Sequence, residues 1–227
     1  MSFSQTDRSL SNANLKRPAS LCNPVSKDGQ GVHDPTAHLV CYRTAPQSGF
    51  QRRDIGVRNQ FGDQTVTVLK PLQLCVPSEK DGVPSALGID HFRCYKARIR
   101  PGTPSFDERE VTLVDQFENK RERVTGCFRF CTPVDKNGEG IPDPAAHLTC
   151  YRLTDVSGQP PSPRRDVTVH NQFGDAGLRV RSIAQLCAPS LEIPIPTTTT
   201  SSTTTSTSTS STSSTTTTST SSTTSTT

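Results

Sequence analysis

The feature that most constrains the fold of this chain is a cysteine-containing motif that occurs three times. Each copy begins with a His-x-x-Cys-Tyr-Arg/Lys run, continues to a Gln-Phe pair, and ends at a second cysteine that lies 14 residues after that Phe. The cysteines of the three copies are Cys41 and Cys75, Cys94 and Cys131, and Cys150 and Cys187. A constant period of this kind indicates a repeat protein whose units pack against their neighbours.

An incomplete copy precedes the three complete ones. The run LKRPASLCNPVSKDG, which contains Cys22, matches LKPLQLCVPSEKDG at the end of the first complete copy. We therefore expect an N-terminus that is truncated within a repeat, which would also account for the lack of a signal peptide here. The expected parts are a disordered N-terminus (1–14), a partial repeat and linker (15–37), module 1 (38–90), module 2 (91–146), module 3 (147–190) and a disordered Ser/Thr-rich stalk (191–227).

The local patterns favour β-structure throughout. Ile55 and Val57 alternate with polar neighbours, as the equivalent residues of the other copies do, and the chain has 18 prolines and no long helical apolar period. The Asn-Gln-Phe-Gly-Asp run has turn chemistry, and we expect its Phe to fold back over its own module. The predicted fold class is all-β, with tandem small disulfide-stapled modules of about three strands each. A unit of about 55 residues buries little surface, so packing between neighbours is also expected.

The composition of the chain end predicts disorder. Residues 197–227 are all Ser or Thr, so they have no apolar side chains to offset the entropy of ordering. Tracts of this kind, when O-glycosylated, form stalks that hold domains away from a cell wall.

The eight cysteines predict disulfides rather than a zinc site, because no Cys-x-x-Cys pair occurs. Disulfides in turn indicate an oxidising compartment, and therefore an extracellular or cell-surface location. Two regular pairings remain open. One joins cysteines within modules, as Cys41–Cys75, Cys94–Cys131 and Cys150–Cys187; the other joins them across linkers, as Cys22–Cys41, Cys75–Cys94 and Cys131–Cys150. The repeat ends at its second cysteine, which favours the pairing within modules.

The linker after module 2 is the sharpest local motif. In VDKNGEGIPDP the oxygen-bearing residues Asp135, Asn137, Glu139 and Asp143 are spaced as in Asp-rich calcium loops. Ala146 stands where an EF-hand has a bidentate Glu, so calcium affinity in the ~10⁻⁴ to 10⁻³ M range is expected if the ion binds. An Asn-Gly turn without metal is the alternative that we favour.

Other functional classes have little support. The net charge of +4 is spread along the chain, so no nucleic-acid partner is expected, and no apolar run is long enough for a membrane span. The histidines before the first cysteines, His38, His91 and His147, recur in every copy, which favours a structural role over catalysis. We identify no catalytic residues and expect no enzymatic activity and no cofactor other than calcium.

The HLxCYR…NQFG…LCxPS frame resembles an uncharacterised cysteine-containing β repeat-domain family of predicted secreted or surface proteins of bacteria. The resemblance covers residues 15 to 190, and module 2 departs from it with Asp115-Gln-Phe-Glu118 and the additional Cys127. It implies a secreted β-repeat protein and supplies no functional residue. The expected function is a non-enzymatic, structural or adhesive extracellular protein. The alternative is a glycan-binding module array, calcium-assisted or not, attached to an extracellular enzyme system, so a glycan or a surface protein is the expected partner.

Overall fold

A computed structural model describes residues 9–10, 14–46, 49–85 and 88–195, and of Ser9 and Leu10 only the backbone. The described residues are all-β, as the alternating pattern predicts, and contain no helix. The strands are β1 (Ser9–Leu10), β2 (Leu15–Cys22), β3 (Ser26–Lys27), β4 (Leu39–Thr44), β5 (Arg53–Asn59), β6 (Gly62–Pro77), β7 (Glu79–Lys80), β8 (Phe92–Ile99), β9 (Arg109–Val114), β10 (Asn119–Pro133), β11 (Asp135–Lys136), β12 (His147–Asp155), β13 (Arg165–Asn171), β14 (Gly174–Val180) and β15 (Gln185–Ile193).

Each module has the same three parts. A Cys-Tyr strand (β4, β8 or β12) is followed by a hairpin, and the hairpin leads into a strand that carries the second cysteine. In modules 1 and 2 the second hairpin strand continues into the cysteine strand as one long strand, β6 or β10. In module 3 a break after Val180 divides it into β14 and β15.

The cysteine-bearing strands form one antiparallel meander in the order β2–β4–β6–β8–β10–β12–β15. The meander curls strongly, as the contacts of Arg129 on β10 show: it donates both to Gln73 on β6 (2.6 Å) and to Gln185 on β15 (2.9 Å). A flat sheet would hold β6 and β15, which are four strand spacings apart in the meander, roughly 19 Å from each other. All the cysteines of the repeat frame lie on the inner face of this curl, in a cluster with residues such as Leu39 and Phe92.

The hairpins cover the outer face of the meander. Ile55 and Val57 of the module 1 hairpin pack in one cluster with Tyr95 and Phe130 of module 2 and Tyr151 of module 3. In a second cluster, Val167 and Val169 of the module 3 hairpin pack with apolar residues of β4 and β6, including Val40 and Leu74. The hairpins therefore bury their apolar faces on other modules, which meets the expectation that small units need their neighbours.

Short segments that follow the second cysteines join distant repeats. Strand β3 of the partial repeat pairs with β9 of module 2, and β7 of module 1 pairs with β13 of module 3. The end of β15 pairs with β5 of module 1, so residues 191–193 belong to the sheet and not to the stalk in which the sequence placed them. Gly56 permits this approach, since a Cβ there would lie 2.5 Å from the carbonyl oxygen of Ile193.

The described residues belong to a single compact unit, so the modules are repeats within one fold rather than independent beads. Strand β1 lies within the N-terminal segment predicted to be disordered and pairs in parallel with β11. Of the predicted Ser/Thr-rich stalk (191–227), residues 196–227 lie outside the described residues. Within the described ranges, no helix is long and apolar enough to cross a membrane.

Candidate functional site

The inner face of the curl contains three disulfides, each within one module. They join Cys41 to Cys75, Cys94 to Cys131 and Cys150 to Cys187. Of the two pairings that the sequence leaves open, the structure contains the one within modules. The reason is register, since the two cysteines of each module lie directly opposite each other on neighbouring strands. Cysteines joined across linkers are offset along their strands, with Gln73 rather than Cys75 opposite Cys94.

Sulfur atoms nevertheless lie close together across two of the linkers. The Sγ atoms of Cys75 and Cys94 are 3.6 Å apart, and the thiol of Cys22 lies 3.9 Å from Sγ of Cys41. Burial raises the pKa of the Cys22 thiol, and that of the Cys127 thiol to about 12. Both thiols are therefore protonated at neutral pH.

Modules 1 and 3 contact each other through a reciprocal set of polar groups. The Asn171 side chain, at the hairpin turn of module 3, donates hydrogen bonds to Tyr42 Oη (3.0 Å) and Ser78 Oγ (2.8 Å) of module 1. In return, Asn59 of module 1 donates to Tyr151 Oη (2.8 Å) and Ser190 Oγ (3.0 Å) at the end of module 3. The recurring Tyr, Asn and Ser of the motif thus join two modules by reciprocal hydrogen bonds.

The Phe of each turn contributes to the same contacts. Phe61 packs edge-on against Tyr151 with ring centroids 4.7 Å apart, and Phe173 packs edge-on against Tyr42 at 5.0 Å. The prediction that this Phe covers its own module is therefore wrong. In both modules the turn Asn lies two residues before the Phe, and its side-chain oxygen accepts a hydrogen bond from the Phe backbone N–H. The whole turn therefore packs against the opposite module.

Module 2 uses different residues at these positions. Asp115 replaces the turn Asn and accepts hydrogen bonds from the backbone N–H groups of Phe117 (2.7 Å) and Glu118 (2.9 Å) within its own turn. The position of the contacting Ser is occupied by Val134 in module 2 and by Val25 in the partial repeat. Both valines pack in apolar clusters.

Three of the four calcium candidate residues of the linker have a local hydrogen-bonding role. Asp135 Oδ1 accepts the N–H of Gly140 (3.1 Å), Asp143 Oδ1 accepts that of Ala145 (2.9 Å), and Glu139 pairs with Lys136. The linker after the partial repeat makes the same two backbone contacts with Ser26 and Asp34. Ser26 accepts the same backbone hydrogen bond that Asp135 accepts, so this contact does not require a bound ion.

Asn137 belongs to a turn that all three linkers share. It has a φ of 58°, and the equivalent residues Asp28 and Asp81 have φ values of 50° and 49°. Asp28 exchanges backbone and side-chain hydrogen bonds with Thr112 of module 2, and Asp81 does the same with Thr168 of module 3. Among the described residues no group of three His, Cys, Asp or Glu side chains is arranged to hold a metal ion. Calcium binding at Asp135, Asn137, Glu139 and Asp143 stays a prediction.

Two of the recurring histidines are buried and the third is half-buried. His38 and His147 are buried, and His91 lies 3.7 Å from Glu139. Burial lowers the pKa values of His38 and His91, so both rings are neutral near neutral pH.

A buried charged group in module 2 was not recognised from the sequence. Lys120 and Glu122 are almost fully buried, with 3.6 Å between Lys120 Nζ and Glu122 Oε1. Lys120 also donates to Asp155 Oδ1 (2.8 Å) and Ser162 Oγ (3.1 Å). Burial raises the pKa of Glu122 to about 7. The signal was present in the repeat alignment, where the position of Glu122 is apolar in module 1 (Val66) and module 3 (Leu178).

No family model, curated protein or solved structure matches this chain.

Proposed function

We propose that this chain is a non-enzymatic, structural or adhesive protein of the cell exterior. The observation that carries the proposal is the double cross-linking of the repeats. One disulfide holds each of the three modules together, and the motif's own Tyr, Asn and Ser side chains bind one module to another. The recurring polar groups are engaged in holding the array together, as in a rigid scaffold.

The three disulfides support a location outside the cytosol. Disulfides persist outside the cytosol, where thiol reductants do not keep cysteines reduced. A small β-unit with a thin apolar composition gains stability from such cross-links, which is the usual strategy of secreted modules exposed to proteases.

The experiment is an adhesion assay with the oxidised full chain attached to beads. We expect the beads to bind to cells or extracellular material of the source organism and to remain bound after treatment with a general protease. Beads that carry reduced and alkylated protein, the matched control, should lose both properties. Equal adhesion of both bead types would contradict a role that depends on the cross-linked fold. Binding restricted to one neutral glycan on a glycan array would instead favour the glycan-binding alternative.

A further inference from the structure

Four basic side chains form a layer at one end of the cysteine-bearing interior. Arg43, Lys96 and Arg152 each follow the first cysteine of a module by two residues, and Arg129 precedes Cys131 by two. Because side chains alternate between the faces of a strand, residues two apart share a face. These four cations, named here the cationic layer, therefore lie on the same inner face as the disulfides.

The strand register brings the cationic layer together from all three modules. Arg129 lies opposite Lys96, Arg43 lies opposite Gln73, and Arg152 lies opposite Gln185. The guanidinium of Arg129 donates through Nη1 to the amide oxygens of Gln73 (2.6 Å) and Gln185 (2.9 Å). Two glutamines from different modules thus hold Arg129 in place.

The partners of Arg129 do not neutralise its charge. Both glutamine amides are neutral, and its buried Nε has no hydrogen-bond partner among the described residues. The Phe128 ring lies 4.9 Å from the guanidinium carbon of Arg129 and 5.1 Å from that of Arg152, which fixes both groups by cation–π contact. Arg129 therefore keeps its full positive charge beside the exposed cations of the layer.

Among the described residues, the cations of the layer are not paired with carboxylates. In the described ranges, none of the four cations forms an ion pair with a carboxylate, whereas Arg58, for example, pairs with Asp63 at 2.7 Å. Burial, together with repulsion from Arg43 and Arg152, lowers the pKa of Arg129. Arg43, Lys96 and Arg152 are exposed, so a ligand can approach from solvent.

We propose that the cationic layer binds the sulfate groups of a sulfated polysaccharide. Guanidinium groups offer paired N–H donors that match oxyanions, and they are weakly hydrated, so little hydration is lost on binding. Three exposed cations around a half-buried one suit a ligand with several anionic groups along a chain. The proposal rests on the extracellular adhesive function proposed above and names the class of its ligand.

The test is a calorimetric titration of the oxidised full chain with dextran sulfate at about 50 mM and about 300 mM salt. We expect binding at the lower salt concentration that weakens at the higher one. Neutral dextran should not bind. The Arg43→Gln/Arg152→Gln variant should bind at least about tenfold more weakly, because each charge-assisted hydrogen bond contributes about that factor.

The matched control is Arg58→Gln/Arg179→Gln, which removes the same charge from two exposed arginines that pair with carboxylates. It should change the dissociation constant less than about twofold. A second test variant, Arg129→Gln, introduces the residue that modules 1 and 3 have at this position. This variant should also bind dextran sulfate more weakly, and its thermal midpoint shows whether it is folded.

Equal losses in the test and control variants would overturn the proposal, because binding would then depend on net charge alone. Absence of dextran sulfate binding by the unmodified chain at low salt would overturn it too. Tighter binding of polyphosphate with the same dependence on Arg43 and Arg152 would overturn the assignment to sulfate. The adhesive function fails separately, if beads that carry oxidised protein do not adhere while soluble protein still binds dextran sulfate.

Discussion

Modules 1 and 3 differ from module 2 in how their hairpin turns are held, although all three have the same strand order. In modules 1 and 3 the turn residue is Asn, and it reaches a Tyr and a Ser of the opposite module. In module 2 the turn residue is Asp115, whose carboxylate accepts hydrogen bonds from its own turn. One backbone frame therefore supports two kinds of contact.

The residues that differ change together. Where the turn has Asn, the partner position has Ser (Ser78 or Ser190), and in module 2 and the partial repeat that position is Val134 or Val25. Module 2 also buries the ion pair of Lys120 and Glu122 in its hairpin. The contacting pairs lie two repeats apart, so substitutions that look unrelated within one module are matched across two.

Loss of a disulfide should have the largest effect and should not distinguish the modules. Replacing both cysteines of Cys94–Cys131 or of Cys150–Cys187 by Ala removes a cross-link of 37-residue separation in each case. We expect each change to lower the free energy of unfolding by about 4 kcal/mol, because loops of equal length lose equal entropy in the unfolded chain. Urea unfolding measures it. A much smaller loss in module 2 than in module 3 would contradict this equality.

Replacement of the turn residue should separate the two kinds of contact. Asn171→Ala leaves the buried Tyr42 and Ser78 hydroxyls without this donor, and should cost about 3 kcal/mol. Asp115→Ala removes only hydrogen bonds within its turn and should cost about 1 kcal/mol.

Double-mutant cycles should show which modules are coupled. Asn171→Ala and Tyr42→Phe should be non-additive by about 1 kcal/mol, since the two side chains are hydrogen-bonded to each other across modules. Asn171→Ala and Tyr151→Phe should be additive. Coupling of Asn171 with Tyr151 of its own module would contradict the reciprocal arrangement.

The buried carboxyl of module 2 should make stability fall as pH rises. The pKa of Glu122 is raised to about 7 in the folded protein from 4.5. The folded state therefore binds the proton more tightly than the unfolded state does. The contribution of this proton to the free energy of unfolding is lost as pH rises through about 7. Glu122→Gln should reduce the loss of stability between about pH 5 and pH 8 in urea unfolding. The same pH dependence in the variant would show that other groups cause it.

Calcium should have the smallest effect. The carboxylates of Asp135 and Asp143 are already hydrogen-bonded to backbone N–H groups. We therefore expect no rise in the thermal midpoint at millimolar calcium, since a ligand that binds only the folded state would raise it. A rise that Asp135→Asn abolishes would instead establish the calcium site.

Much of the local structure could be predicted from the sequence. The alternation around Ile55 and Val57 predicts a strand, and the Asn-Gln-Phe-Gly run predicts its turn, because these features depend on side-chain spacing and on backbone preferences of single residues. The repeat length also predicts that small units must be cross-linked and packed together. The all-β class and the presence of disulfides follow from these local properties.

The tertiary structure decided which repeat contacts which. The turn Phe61 packs on Tyr151 of another module, the segment after Cys187 docks beside Gly56 of module 1, and Arg129 meets glutamines of two other modules. These contacts arise because the seven-strand meander curls until β15 of module 3 approaches β5 and β6 of module 1, which brings repeats far apart in sequence side by side. Equivalent residues of similar repeats look alike in the sequence. The spacing of the motif therefore identifies which side chains make contacts, and only the curl of the sheet decides which repeat each of them contacts.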